Sequence, residues 1–394
     1  MGSINDLPAS DSIDLALDHP TPNECVEIWS NTSASWKDSL TLPVYLTESQ
    51  FLTTVPLAAN EGMTMWILVD KNRAPGERQI FCSCESFRKR SLISDAEGNV
   101  EDCIIHGIAS VFCPLEYRRR GYAARHMIEV AKALRSWQTE YGKCVGSVLY
   151  SDIGKVYYAR LGWTPNVTNS HLVFPPVKSE WPPKARRIYE KDIGSFCQRD
   201  EAIIQAAMAK PDFTVKKRVT ILPDLDHMLW HIRKEDFATQ RIFGRIPDAK
   251  GAIARFQGKD VWAIWTHRYY HHPDTGTGET VLYILRLVLE GDETANSAAS
   301  RKPSELPENE NFDRVSALQA ILRAAQSEAG EWRLDHVKLW NPTPLVHSLI
   351  AKAGFDYVEV EREKESIASG LWYSDAGQVG ESPSWINNEH YAWC

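Results

Sequence analysis

Basic charge is in short supply in this 394-residue chain, where 44 Lys and Arg stand against 52 Asp and Glu for a formal net charge of −8. A surface that neutralises a phosphate backbone needs the opposite balance, so the sequence predicts no nucleic-acid partner. Long apolar runs are missing as well. The longest, Val281 to Leu289, has Arg286 inside it and falls far short of the ~20 residues of a membrane span, which predicts no membrane partner. The opening residues MGSINDLPASDSIDLALDHP hold no Lys or Arg and no apolar core, and so read as neither a secretory signal nor a transit peptide. Asp6 breaks the myristoylation pattern, and Cys394 does not complete a prenylation box. Cysteine is sparse and scattered, eight in all, several within apolar runs where a free thiol acts as a small hydrophobe. These absences together predict a soluble, cytoplasmic protein in a reduced compartment.

What is present can fill sizeable cores. Hydrophobic residues make up 43% and charged residues 24%, close to globular averages, and a chain of this length predicts roughly two domains. With 14 Trp, 14 Tyr and 12 Phe, aromatic side chains suit either pockets and interdomain contacts or ordinary packing. Helical patterning covers Glu24 to Trp36 and a second stretch near Thr47. Extended runs follow at Met65–Asp70, Gln79–Ser86 and Cys103–Cys113, separated by the turn-rich NRAPGE and SDAEGN. The period then changes to a helix at Ala123–Trp137, a strand at Cys144–Tyr150, a short helix at Ile153–Leu161 closed by Gly162, and a strand at His171–Phe174.

The Pro-containing KSEWPPKARR reads as a linker, which divides the chain into domains 1–177 and 178–394. Beyond it come helices at Ser195–Met208 and Asp224–Phe243, strands at Val261–Tyr270 and Val281–Glu290, and a polar, acidic, mobile loop at Gly291–Phe312. A helix Arg314–Glu328, a strand His336–Trp340, a helix Pro344–Ala353 and a strand Phe355–Glu361 complete the pattern. This rhythm repeats that of the first half, with LYS…RLGW at 149–163 set against LWN…KAGF at 339–355.

Chemistry concentrates in VFCPLEYRRRGYAARHMIEVAKAL, residues 111–134. A strand runs into a basic, glycine-bearing turn that opens a helix, so the N–H groups of Arg119, Arg120, Gly121, Tyr122, Ala123 and Ala124 converge at a positive helix end. Such a nest takes a pyrophosphate, with Arg118, Arg119 and Arg120 adding positive charge; a plain basic helix cap would share the pattern.

The segment Arg118-x-x-Gly121-x-Ala123, after a strand holding Val111 and Cys113 and following Tyr117, resembles the acetyl-CoA signature of the GNAT N-acetyltransferase superfamily. LYSDIGKVYYARLGW (149–163) resembles the second half of that signature. The two-part organisation, SVFCPLEYRRRGYA and the closing WINNEHYAWC are similar to fungal Lyc1-type lysine N6-acetyltransferases. The resemblance implies a mixed α/β fold, a GNAT-like twisted sheet flanked by helices, with a second, degenerate GNAT-like domain that completes the acceptor pocket. It implies an enzyme that moves acetyl from acetyl-CoA to a primary amine by direct attack, with free L-lysine as one acceptor. Protein N-termini, polyamines and xenobiotic amines are the alternatives, and a non-catalytic acyl-CoA sensor is the rival from another class.

Carried onto this sequence, the resemblance gives the backbone of Val111, Phe112 and Cys113 to the pantetheine arm and the oxyanion, and residues 118–124 to the pyrophosphate. Tyr158, four residues before Gly162, would assist the departing thiolate, or else pack as a core aromatic with Tyr157 beside it. Ser151 stands where the family often has an Asn that meets the pantetheine, with a shorter reach. His106 is the candidate base, against a structural role for it, and Glu85 on the neighbouring strand is the fallback. In the second half, Ile350 replaces the equivalent of Tyr158, and Trp262, Trp265, Tyr269, Trp372, Trp385 and Trp393 are candidate pocket residues. His267, His271 and His272 come without partner ligands, so no metal is expected. Cys82-x-Cys84 reads as two buried thiols, and Ser86-x-x-Lys89 as chance spacing.

Overall fold

The computed structural model describes residues 7–275, 278–291, 308–374 and 379–393, with side chains described from 313 onward in the third stretch. Of the loop expected at 291–312, residues 292–307 lie outside them, as does Cys394, while 308–312 already belong to a helix. Among the described residues no helix is long and apolar enough to cross a membrane.

The first half begins with β1 (Leu15–Asp18), α1 (Pro22–Trp36), α2 (Leu42–Leu52), β2 (Met63–Asp70), β3 (Cys82–Asp95) and β4 (Val100–Phe112). It continues with α3 (Tyr122–Leu134), β5 (Cys144–Ser151), β6 (Thr164–Pro165) and β7 (Ser170–Phe174). Local chemistry sets the boundaries. Thr21 and Glu24 close a reciprocal capping box ahead of Pro22, so α1 starts with its first N–H groups satisfied. In α3 the buried His126, Met127, Val130 and Leu134 recur at helical spacing and turn one face to the sheet.

The second half runs β8 (Arg186–Ile188), α4 (Glu190–Met208), β9 (Lys217–Ile221), α5 (Leu225–Phe243), β10 (Gly251–Phe256), β11 (Lys259–Tyr269) and β12 (Thr280–Leu289). Then come α6 (Glu308–Glu331), β13 (His336–Trp340), α7 (Pro344–Lys352), β14 (Val358–Glu361), β15 (Ile367–Trp372) and β16 (Ser384–Trp385). Every residue of β12 is buried, as a strand covered on both faces requires.

The strands form two sheets. One is ordered β1-β2-β3-β4-β5-β15-β6, with β9 alongside the outer part of β3 and β16 beside β9; the other is β14-β7-β13-β12-β11-β10-β8. The same unit occurs in both. Antiparallel β2-β3-β4 is followed by α3 and then by β5 parallel to β4, just as β10-β11-β12 is followed by α6 and then by β13 parallel to β12.

The halves also trade a strand. β15 inserts between β5 and β6 of the first sheet, and β7 inserts between β13 and β14 of the second. The linker itself contributes β8 to the second sheet. Gly146 permits the exchange, because a Cβ there would lie 2.7 Å from the Trp372 ring of the incoming strand. Between the sheets lies a shared core, in which Ile105 and Val148 from one meet Trp262, Ile264 and Val288 from the other.

Two expectations change. The short helix expected over Ile153–Leu161 is a run of bends ending in one 3-10 turn, Ala159–Leu161. The strand expected at Gln79–Ser86 runs on to Asp95, and its outer half pairs with β9, which the sequence pattern did not reveal.

Candidate active site

β4 and β5 pair in parallel only as far as Ile108 opposite Leu149. Beyond that point β4 continues to Phe112 and β5 to Ser151 without pairing to each other. A register shift between Ser83 and Glu85 on β3, with Ser110 at φ 54°, bends β4 away. The parted strands leave backbone groups of Val111 and Phe112 on the side that β5 has vacated, where an extended ligand can pair.

β4 leads through a 3-10 turn at Leu115–Tyr117 to the start of α3. Gly121 is the N-cap, at φ 88°. The left-handed conformation favours glycine, and a Cβ would also lie 2.5 Å from the Ser10 hydroxyl. The chain before β1 thus lies against the turn: the Tyr122 hydroxyl donates to the Pro8 carbonyl and Arg125 Nη1 to that of Ser10. Arg118, Arg119, Arg120 and Gly121 are exposed, and Ala123 and Ala124 are half-buried at the helix start. Tyr122, by contrast, buries its ring against Phe81, so only its backbone is available to a ligand. Arg118 folds back, its Nε donating to the Cys113 carbonyl at 2.8 Å.

Beside the split lies a cavity of about 220 Å³ whose lining includes Glu85, Ser110, Val111, Leu149 and Tyr158. Glu85 Oε2 accepts from the Ser110 hydroxyl at 2.9 Å. Burial raises the Glu85 carboxyl above its ordinary range, against the opposing pull of Ser110 and the charge of Lys234. Burial also raises the Tyr158 hydroxyl well above the usual phenol value, which keeps it protonated at neutral pH. Its ring stands edge-on to Tyr157, with centroids 5.1 Å apart.

The rest of the lining comes from further along the chain: Glu48 on α2, Trp230 and Lys234 on α5, Arg268 on β11, and Trp393. Lys234 Nζ bonds Glu48 Oε2 at 2.8 Å, and Arg268 Nη2 pairs with Asp38 at 2.8 Å. Both sheets thus meet at one cavity.

Other expected residues lie elsewhere. His106 is fully buried two positions before the cavity-lining Ile108. The segment after α3 covers it, with Nε2 3.3 Å from Gln138 Oε1 and Nδ1 3.4 Å from Cys144 Sγ. Burial lowers its pKa to about 4, so it is neutral at pH 7 but out of reach of the cavity. Ser151 turns its hydroxyl into the loop that follows, donating to the Gly154 carbonyl at 2.8 Å. Its neighbour Asp152 lines the cavity instead. Of the six aromatic residues expected to line a pocket from the second half, Trp393 reaches this cavity, while Trp262 and Trp265 are fully buried in cores. Tyr269 and Trp393 line a small annex beside it, and Trp372 and Trp385 a separate groove. Among the described residues no group of three or more His, Cys, Asp or Glu is placed to hold a metal ion.

Sequence reasoning missed Glu48, Lys234 and Arg268. Nothing in their local pattern marks them, since each is a single charge on a regular element, brought to the site by packing.

A mixed sheet whose two parallel strands part above a glycine-capped helix is the arrangement of the GNAT class, and this chain carries that mixed α/β unit twice. A family model described as the LYC1 GNAT-like C-terminal domain matches residues 171–394, more than half of the chain, and the chain belongs to that family. The match begins at β7, the strand that joins the second sheet. A relative from Yarrowia lipolytica described as a lysine acetyltransferase is 22% identical over 228 residues, covering 48% of this chain and 57% of that protein. The chain thus spans little more than half the length of that relative. Solved structures of GCN5-related N-acetyltransferases from Kribbella flavida and Anabaena variabilis cover 91% of this chain and 72% of theirs, at 15% and 11% identity and TM-scores of 0.47 and 0.49.

Proposed function

We propose that this chain is an acetyl-CoA-dependent N-acetyltransferase acting on the primary amine of a small molecule, the N6 amine of free L-lysine first among them. The observation that carries this reading is the single cavity where the parted β4 and β5, Glu85 and Tyr158 meet, closed on its far side by residues of the second half. At about 220 Å³ it is smaller than the roughly 300–1,000 Å³ of drug-sized sites, which favours a compact acceptor over a folded polypeptide.

Acetyl-CoA supplies an activated acyl group as a thioester, so the protein needs no nucleophile of its own. The turn at 118–124 would receive the pyrophosphate, and Val111 and Phe112 the extended arm. An ammonium group must lose a proton before it can attack. Glu85, with a raised pKa and a place on the cavity wall, is suited to take that proton directly or through water. The role assigned to His106 from sequence therefore passes to Glu85. Tyr158 stays protonated and can give a hydrogen bond to the thiolate as it leaves.

The two domains, 1–177 and 178–394, are on this reading a catalytic unit and a degenerate copy that completes the acceptor pocket. Thiol release from acetyl-CoA, measured against L-lysine, polyamines, aminosugars and short peptides, tests the proposal. Turnover on lysine, slowed roughly tenfold or more in kcat by Tyr158→Phe as loss of one hydrogen bond to a charged group implies, is the expected result. Tight acetyl-CoA binding without turnover on any amine would overturn it in favour of an acyl-CoA sensor.

A further inference from the structure

The far end of the cavity carries a charge pattern that proton transfer to Glu85 does not use. Glu48, Lys234, Arg268 and Trp393 line both the main cavity and an annex of about 20 Å³, whereas Glu85, Val111 and Tyr158 line only the former. The cavity therefore has two ends: a thioester end at the β4–β5 split, and a distal end where two acids, Asp38 and Glu48, face two cations.

Arg268 is the unusual member. Asp38 holds one edge of its guanidinium through Nη2, while Nε is buried with no hydrogen-bond partner among the described residues. The guanidinium carbon lies 5.2 Å from the centre of the Tyr270 ring and 5.7 Å from that of Trp393. A buried, unsatisfied donor on a permanent cation is costly unless a ligand completes it. An aromatic-flanked guanidinium whose Nε lacks an acceptor matches a carboxylate, whose two oxygens accept from its planar donors.

Resting on the acetyltransferase reading above, we propose that Arg268 anchors the α-carboxylate of an amino-acid acceptor, with Lys234 adding charge and Glu48 receiving the α-ammonium, while the side-chain amine points to Glu85. Acceptor choice is then made where β11 and α5 of the second half meet Glu48 of α2, and the chemistry at the β4–β5 split of the first. A diamine without a carboxylate leaves Arg268 unsatisfied and is discriminated against, as sites built around a buried polar partner reject analogues that lack it.

The experiment compares L-lysine with cadaverine, the same carbon chain without the carboxylate, in the wild type, Arg268→Gln and Arg268→Lys. In Arg268→Gln the ratio of kcat/KM for lysine over cadaverine is expected to fall roughly 10–100-fold, mainly through KM, as loss of a charged hydrogen bond dictates. Arg268→Lys restores part of it. Unchanged affinity for acetyl-CoA in both variants shows that the fold is intact.

A wild type that prefers cadaverine, or a ratio unaltered by Arg268→Gln, overturns the anchor while leaving the acetyltransferase reading standing. If the wild type turns over neither of these amines nor any other of the panel above, the acetyltransferase reading fails, and calorimetric titration of the protein with CoA present decides the anchor. Tighter binding of lysine than cadaverine, lost in Arg268→Gln, supports it, and equal binding overturns it.

Discussion

The two halves contain the same strand split, and they treat it differently. In the first, β4 and β5 part after Ile108 and Leu149, and a cavity opens beside the gap. In the second, β12 and β13 part after Ile284 and Leu339, and the chain's own final segment fills the gap. There the Glu389 carboxylate accepts from the Leu287 N–H at 3.0 Å and pairs with Arg286, whose Nε and Nη2 bond Asp200 at 2.7 and 2.9 Å. Asn341, just past β13, donates from Nδ2 to the Asn388 carbonyl at 2.6 Å. The same segment then delivers Trp393 to the first cavity. A duplicated fold therefore provides one open groove and one internally satisfied groove, and the plug of the second helps to wall the first.

Four substitutions probe this difference between the halves. The largest effect is expected from Glu85→Gln, which removes the proposed base: kcat/KM at neutral pH should fall by roughly 10²–10⁴ with acetyl-CoA affinity unchanged. The acid limb of the wild-type pH profile should report a group above the usual carboxylate range, because burial raises Glu85. A profile governed by an ordinary carboxylate would remove Glu85 from the role.

Gly121→Asp puts a side chain against Ser10 and a negative charge in the turn. Acetyl-CoA titration should show affinity reduced by about 100-fold or more, in line with the loss of charge-assisted phosphate contacts. Retained affinity would refute the phosphate assignment.

Glu389→Ala removes one of the two acids that pair with the buried Arg286, leaving it Asp200 and the Asn387 amide oxygen. A loss of about 3–5 kcal/mol is typical when a buried pair is broken, and thermal unfolding should register it as a clear fall in Tm. The number of acetyl-CoA molecules bound per chain should stay at one; a second bound equivalent would mean that only the plug distinguishes the two grooves.

The smallest effect concerns the second half alone. Burial works against the charge of His267, but Glu235, 2.5 Å from its Nδ1, and Glu328 overcome it and raise its pKa to about 9. A raised folded-state value means that its stabilisation is complete below the unfolded value near 6.5 and is lost as pH rises through about 9. Tm measured from pH 6.5 to 9.5 should decline, and the decline should be blunted in His267→Gln.

Much of this was legible in the chain itself. The strand meander and the glycine-bearing turn before α3 follow from periodicity and local turn chemistry, which act over a few residues, whereas Tyr158 is marked by the family resemblance alone. His106 and Ser151 show where that reach ends. Both residues lie on strands, β4 and β5, but whether His106 faces a cavity depends on Gln138 above it, and the direction of the Ser151 hydroxyl on the loop to Gly154.

By itself the sequence determined a mixed α/β pattern with a similar rhythm in its two halves and a candidate phosphate-binding turn, because backbone geometry at Gly121 and the hydrophobic periods of the strands are local properties. Only the tertiary structure decided that β7 and β15 change places, that the final segment fills the second split, and that Glu48, Lys234 and Arg268 share one cavity with Glu85. Those contacts join residues up to several hundred positions apart, and burial and charge pairing between them exist only once the two sheets have packed.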